Sequence, residues 1–91
     1  DGPKNQKAVM VEYPRKGSYT IGFATQDIKN DKLTKIPVFI PTSPNPTSGF
    51  LIFLEKDQIK ELDISPDDAF RLIVSGGLSI NEEENIKKYQ F

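Results

Sequence analysis

Asp63, Asp67 and Asp68 are the residues of this chain whose type and spacing come nearest to chemistry. Clustered carboxylates can hold Ca²⁺ or Mg²⁺ through their oxygens, or divide acid and base work between them. The spacing does not follow the EF-hand pattern, and the two later residues have a plainer duty. In Ser65-Pro66-Asp67-Asp68 the serine is a helix N-cap and the proline takes the first helical position. The two carboxylates then lie where the helix dipole favours negative charge, and Asp68 completes a box-like cap in place of the usual glutamate. Ser75-Gly76-Gly77 has the outline of an anion-binding turn. A phosphate cradle, however, needs its glycines before a helix N-terminus, and these follow a C-terminus, so they read as capping glycines.

The 91 residues include no histidine and no cysteine. Cys/His zinc sites, disulfides and Ser-His-Asp or Cys-His arrangements are thereby excluded. A Ser–Lys pair has no local signature here. Asn45-Pro46-Thr47 would be a glycosylation acceptor but for the proline at its middle position. No catalytic residue, metal site or cofactor is therefore expected. An enzyme using Asp63, Asp67 or Asp68 is the competing class.

Pro41–Gly49 (PTSPNPTSG) is harder to set aside. It separates two apolar runs, VFI and FLIFL, and is longer than the two to five residues of a plain hairpin. Its three prolines each fix φ, which restricts the unfolded chain and favours one loop shape. Loops of set shape on a sheet are where binding residues tend to sit. A stiff crossover between strands is the alternative. Arg15-Lys16 and the lysines at 29, 32 and 35 are solvated surface charge, or a means of touching anionic lipid or a partner.

These residues must be positioned by a small β-rich domain. Ala8–Tyr13 alternates, with Val9, Val11 and Tyr13 on one face and Ala8, Met10 and Glu12 on the other. Pro14-Arg15-Lys16-Gly17 is a turn, and Ser18–Thr25 resumes the alternation with Tyr19, Ile21 and Phe23 together, so the pair predicts a hairpin. Gly22 within the second strand points to a bulge or to something packed close over that face. Ile36–Ile40 is a third strand whose Pro37 must stand at its start or on an edge. Phe50–Glu55, the most apolar segment, reads as a central strand covered on both faces. Ile59–Asp63 is a short fifth strand or a single helical turn. The helix capped by Ser65 carries Ala69, Phe70, Ile73 and Val74 as its apolar stripe, with Leu72 at the margin, and stops at Gly76-Gly77. The expected class is α+β and β-rich: about five mostly antiparallel strands in a small curled sheet or barrel, with one amphipathic helix.

Ninety-one residues make one domain with one small core. We expect residues 1–7 as a linker remnant, 8–78 as the domain and 79–91 as a polar tail. Twelve basic residues against thirteen acidic ones leave no electrostatic footprint for nucleic acid. No apolar run approaches the ~18 residues of a spanning helix.

Three motifs in order carry a family resemblance: VEYPRKG followed by IGF, then VFIPTSPNPTSGFLIF, then ELDISPDDAFRLIVSGG. Together they cover Val9 to about Leu78, and they resemble the bacterial and plant membrane-protein family of the LIKE COV (continuous vascular ring) proteins, the domain of unknown function 502. The resemblance implies two transmembrane helices upstream of residue 1, with this segment as the soluble part that follows, on the cytoplasmic side. It implies no catalytic residue or cofactor. The function expected is that of a non-enzymatic extramembrane module with an unidentified protein partner, and a homo-oligomer is compatible with it. A free-standing ligand-binding barrel of the OB type is the further alternative.

If the strands alternate in direction, Lys4, Lys7, Lys29, Lys32 and Lys35 gather at one end of the domain. Under the resemblance, that end faces the bilayer. Arg15, Lys16, Thr42, Asn45, Thr47 and Ser48 then share the far end as a candidate interaction surface, and the helix is expected to start near it.

Overall fold

The computed structural model describes residues 6–80. Five strands, β1 (Lys7–Glu12), β2 (Tyr19–Ala24), β3 (Lys35–Pro41), β4 (Gly49–Glu55) and β5 (Ile59–Glu61), form one antiparallel sheet in the order β4-β3-β2-β1-β5. One helix, α1 (Pro66–Val74), follows them. Each strand lies within a residue or two of its expected position. Residues 59–61 are a strand, and a short 3₁₀ turn, Lys56–Gln58, precedes it.

That turn explains the shape of the sheet. It joins strands at opposite edges, yet Glu55 to Ile59 is four residues, a reach of at most roughly 14 Å. The edges of a flat five-stranded sheet stand about 19 Å apart. The sheet must therefore curl until its edges approach. It stays open all the same, because β4 pairs with β3 alone and β5 with β1 alone.

The curl makes two cores from the alternation in each strand. Val9 and Val11 of β1 point into the concave side with Ala24, Ile36, Val38, Ile40 and Leu54. Ala8 and Met10 point the other way and join Ile21 and Phe23 under α1, which contributes Ala69, Leu72 and Ile73. Phe70 stacks on Phe23 with ring centroids 4.7 Å apart. No polar side chain is buried among the described residues.

Gly22 opens the way for β3. A Cβ there would stand 2.6 Å from Val38 Cγ1 and 2.8 Å from Ile40 Cδ1, so the close packing expected over that face is present. Pro37 occupies the third position of β3, one residue past the last β2–β3 pair, Ala24↔Val38. No partner on β2 asks for the N–H it lacks.

Three expectations fail here. The core is two clusters rather than one, and Leu72 rather than Val74 is the buried residue of the helix stripe. The place of one strand is also wrong. The strand expected at Phe50–Glu55 is not central: β4 is an edge, and the middle place belongs to β2. Phe50, Leu51 and Phe53 are exposed. An apolar run without alternation shows that neither face is marked for water. It does not show that the fold supplies a cover for both.

Candidate functional site

The aspartates do not form a centre. Asp63, Asp67 and Asp68 are all exposed, and among the described residues no three acidic side chains converge on a point that a cation could occupy. Cap duty accounts for the last. Ser65 Oγ accepts from the Asp68 N–H at 3.1 Å, and the Asp68 carboxylate turns to Arg71 Nη1, also 3.1 Å away, rather than back to the cap. The glycines are a cap as well. Gly76 (φ 65°) donates to the Ile73 carbonyl and Gly77 (φ 97°) to that of Leu72, the paired bonds of a Schellman ending.

The Pro41–Gly49 loop and the Pro14–Gly17 turn share one end of the sheet, as strand direction requires. Tyr13, beside the turn, and Phe50, beside the loop, bring their rings to 6.3 Å across it. Arg15, Lys16, Thr42, Asn45, Thr47 and Ser48 are exposed there. Four of the six are already engaged. Thr42 Oγ1 donates to the Asn45 carbonyl and lies 3.1 Å from that of Ser48, and the Thr42 N–H bonds the same Ser48 carbonyl at 2.8 Å. Asn45 Oδ1 accepts from the Thr47 N–H at 3.2 Å, and Ser48 Oγ stands 3.2 Å from Thr42 Oγ1. These polar atoms hold the loop to itself. Gly49 closes its neck, where a Cβ would run into the Ile40 carbonyl oxygen and stand 2.8 Å from Pro41 Cα. The Tyr13–Pro14 and Ser43–Pro44 peptide bonds are cis.

The helix meets this end with its other terminus from the one expected. Its first turn lies by Gln6, Lys7 and Ala8 at the start of β1. Its last turn reaches the loop, where Ser43 Oγ donates to the Ile73 carbonyl at 2.8 Å. The reason is β5: it runs antiparallel to β1 and delivers the chain to the end where β1 begins. A serine in the loop thus adds a second bond to a carbonyl of the last helical turn that Gly76 N–H already serves.

The lysines gather at the opposite end as strand direction predicts, with Lys7, Lys29, Lys32 and Lys35 all there; Lys4 lies outside the described residues. They do not stand alone. Lys7 is 3.8 Å from Glu61, Asp27 caps the Lys29 N–H at 2.9 Å, and Lys56 Nζ reaches the Asn30 carbonyl at 2.6 Å. An open, polar groove of about 650 Å³ lined by Lys7, Gln26, Asp27 and Glu61 is of mixed charge.

The feature that sequence reasoning missed is the outer edge of β4. Phe50, Leu51 and Phe53 are 58%, 63% and 60% exposed, whereas every other strand apolar residue except Tyr19 is buried or half-buried. The backbone direction follows from two neighbours. The Glu55 N–H bonds Gln58 Oε1 at 2.9 Å, so it points away from β3, and Thr42 and Ser48 form a bonded pair at the loop neck. Antiparallel alternation then turns the N–H and C=O groups of Gly49, Leu51 and Phe53 off the sheet. A signal for this was present: from Ile36 to Leu54 there is no charged residue, so no lysine or glutamate guards the strand.

Comparison with known proteins bears on the first half of the chain. A family model described as Protein of unknown function (DUF502) matches residues 1–48, just over half of the 91. The chain belongs to the DUF502 family. No curated protein and no solved structure matches it. The DUF502 match takes in β1, β2, β3 and the Pro-rich loop as far as Ser48. It ends one residue before β4, so the exposed edge and the helix are described by this structure and not by the family match.

Proposed function

We propose that this DUF502 member is a non-enzymatic extramembrane module of an integral membrane protein, working through protein–protein contact. The observation that carries the contact reading is the exposed edge of β4. Three large apolar side chains and outward backbone groups lie together on one strand, a surface that β-strand addition uses. Large apolar side chains exposed on both faces of an unpaired edge strand are what such a partner strand would cover. The membrane reading is supported by the resemblance of the VEYPRKG, VFIPTSPNPTSGFLIF and ELDISPDDAFRLIVSGG stretches to the LIKE COV proteins. Under it, the Lys7, Lys29, Lys32 and Lys35 end faces the bilayer, and Arg15 and Lys16 stand beside the Pro-rich loop at the distal end.

The test uses the protein expressed from its whole gene in its own membranes. A photo-crosslinking residue in place of Leu51 is expected to capture protein, while one in place of Lys32 captures little. The protein should stay with the membrane pellet through an alkaline wash. Release into the supernatant would overturn the membrane part. Equal or absent crosslinking at the two positions would overturn the contact part.

A further inference from the structure

We infer that the partner of the β4 edge is a second copy of this chain, joined by antiparallel β4–β4 pairing about a two-fold axis at Leu51. This names the partner for the contact reading above and rests on it.

The backbone carries the first argument. The residues whose N–H and C=O groups point off the sheet, and which no other described strand pairs, are Gly49, Leu51 and Phe53. Glu55 drops out because Gln58 already takes its N–H. The remaining set is symmetric about Leu51, so a second copy turned end for end presents the same three groups in matching order. Leu51 then faces Leu51 of the other copy, and Gly49 faces Phe53.

The side chains agree with that register. Opposite a glycine there is room for the Phe53 ring to lie across the junction. On the concave face Phe50 comes opposite Ile52, which closes over the exposed ring beside Tyr13. Charge supplies the third argument. The uncharged interval from Ile36 to Leu54 offers nothing to a charged partner, and in this register Glu55 lies opposite Thr47 rather than another acid. Nothing along the edge repels its own copy.

Area sets the strength. Three large side chains of about 200 Å² each, three-fifths exposed, present roughly 350 Å² per copy. With the edge backbone and Thr47 and Ser48 included, the two-copy total is on the order of 1,000 Å², the lower limit for a specific interface. A reversible dimer with Kd of about 1–100 μM is expected.

Sedimentation equilibrium of the 91-residue chain measures it. Leu51→Lys places two ammonium groups on the axis and should weaken the dimer at least ~10-fold. It should leave the melting curve unaltered at concentrations where both chains are monomeric, since residue 51 is exposed in the single copy. Leu51→Cys gives an independent reading in a chain with no cysteine. A hydrogen-bonded antiparallel pair holds its Cα atoms about 5.5 Å apart, within disulfide range. It should oxidise to a covalent dimer far faster than Lys32→Cys, at the opposite end. A chain monomeric up to ~1 mM, or a dimer indifferent to Leu51→Lys, or equal oxidation of the two cysteine variants, would overturn the proposal. Monomeric behaviour together with capture of a different protein at Leu51 in membranes would sink the dimer and leave the contact reading standing.

Discussion

Two glycines show how a single missing Cβ shapes the molecule. Gly22 lets Val38 and Ile40 of β3 cross over β2, and Gly49 lets the loop neck close on the backbone of Ile40 and Pro41. The neighbours differ in what they can yield. At Gly22 the obstruction is mostly side-chain methyl groups, although the β-branched Val38 is stiff. At Gly49 it is backbone. Overpacking typically costs about 1–3 kcal/mol. Gly22→Ala should fall within that range and Gly49→Ala at or above its top, as read from urea melts of the two variants. Equal effects would mean that the neck is looser than its geometry.

At the scale of elements, the helix is held at both ends by serines. Ser65→Ala removes the N-cap and is expected to cost roughly 0.5–2 kcal/mol. Phe70 is only half-buried, stacked on Phe23 at the margin of the helix–sheet core. Phe70→Ala should therefore cost about 2–3 kcal/mol, below the 3–5 of a fully buried ring. A loss no larger than that of the cap variant would show that the stack contributes nothing. At the other end, Ser43 ties the Pro-rich loop to the Ile73 carbonyl, which Gly76 N–H also serves. Ser43→Ala should cost about 0.5–1.5 kcal/mol, and amide exchange should quicken in residues 42–48 and 73–77 together. Faster exchange in only one of the two would mean that loop and helix are not coupled.

For the molecule as a whole, β1 and β2 are shared walls. Val9 and Val11 belong to the concave core and Ala8 and Met10 to the helix-covered one, so neither core outlasts the strand between them. Val9→Ala, with a cost near 1–3 kcal/mol, and Leu72→Ala, near 2–5 kcal/mol, should each lower one common transition. Far-ultraviolet dichroism would follow backbone structure, and near-ultraviolet dichroism would follow the tertiary packing of the aromatic side chains. Separate midpoints for the two signals would show that the cores melt independently.

What depends on neighbours along the chain was legible in the residues. Alternation placed Val9 and Val11 opposite Ala8 and Met10, the Ser65-Pro66 pair started the helix, and Gly76-Gly77 ended it. Alternate strand direction was enough to bring Gly17 and Asn45 to one end and the lysines to the other. Which apolar surface would be covered depended on contacts between distant parts of the chain. The run from Phe50 to Leu54 has no polar face, so its pattern could not say that β4 would be left at an edge. A three-residue turn carried the chain from that edge across to β1 and set the direction of the helix. The polar side chains of the Pro-rich loop were equally ambiguous. Thr42, Asn45, Thr47 and Ser48 have the composition of a binding loop, yet their partners lie within the loop itself, because a chain turned on three prolines leaves carbonyl and amide groups that only nearby side chains can reach.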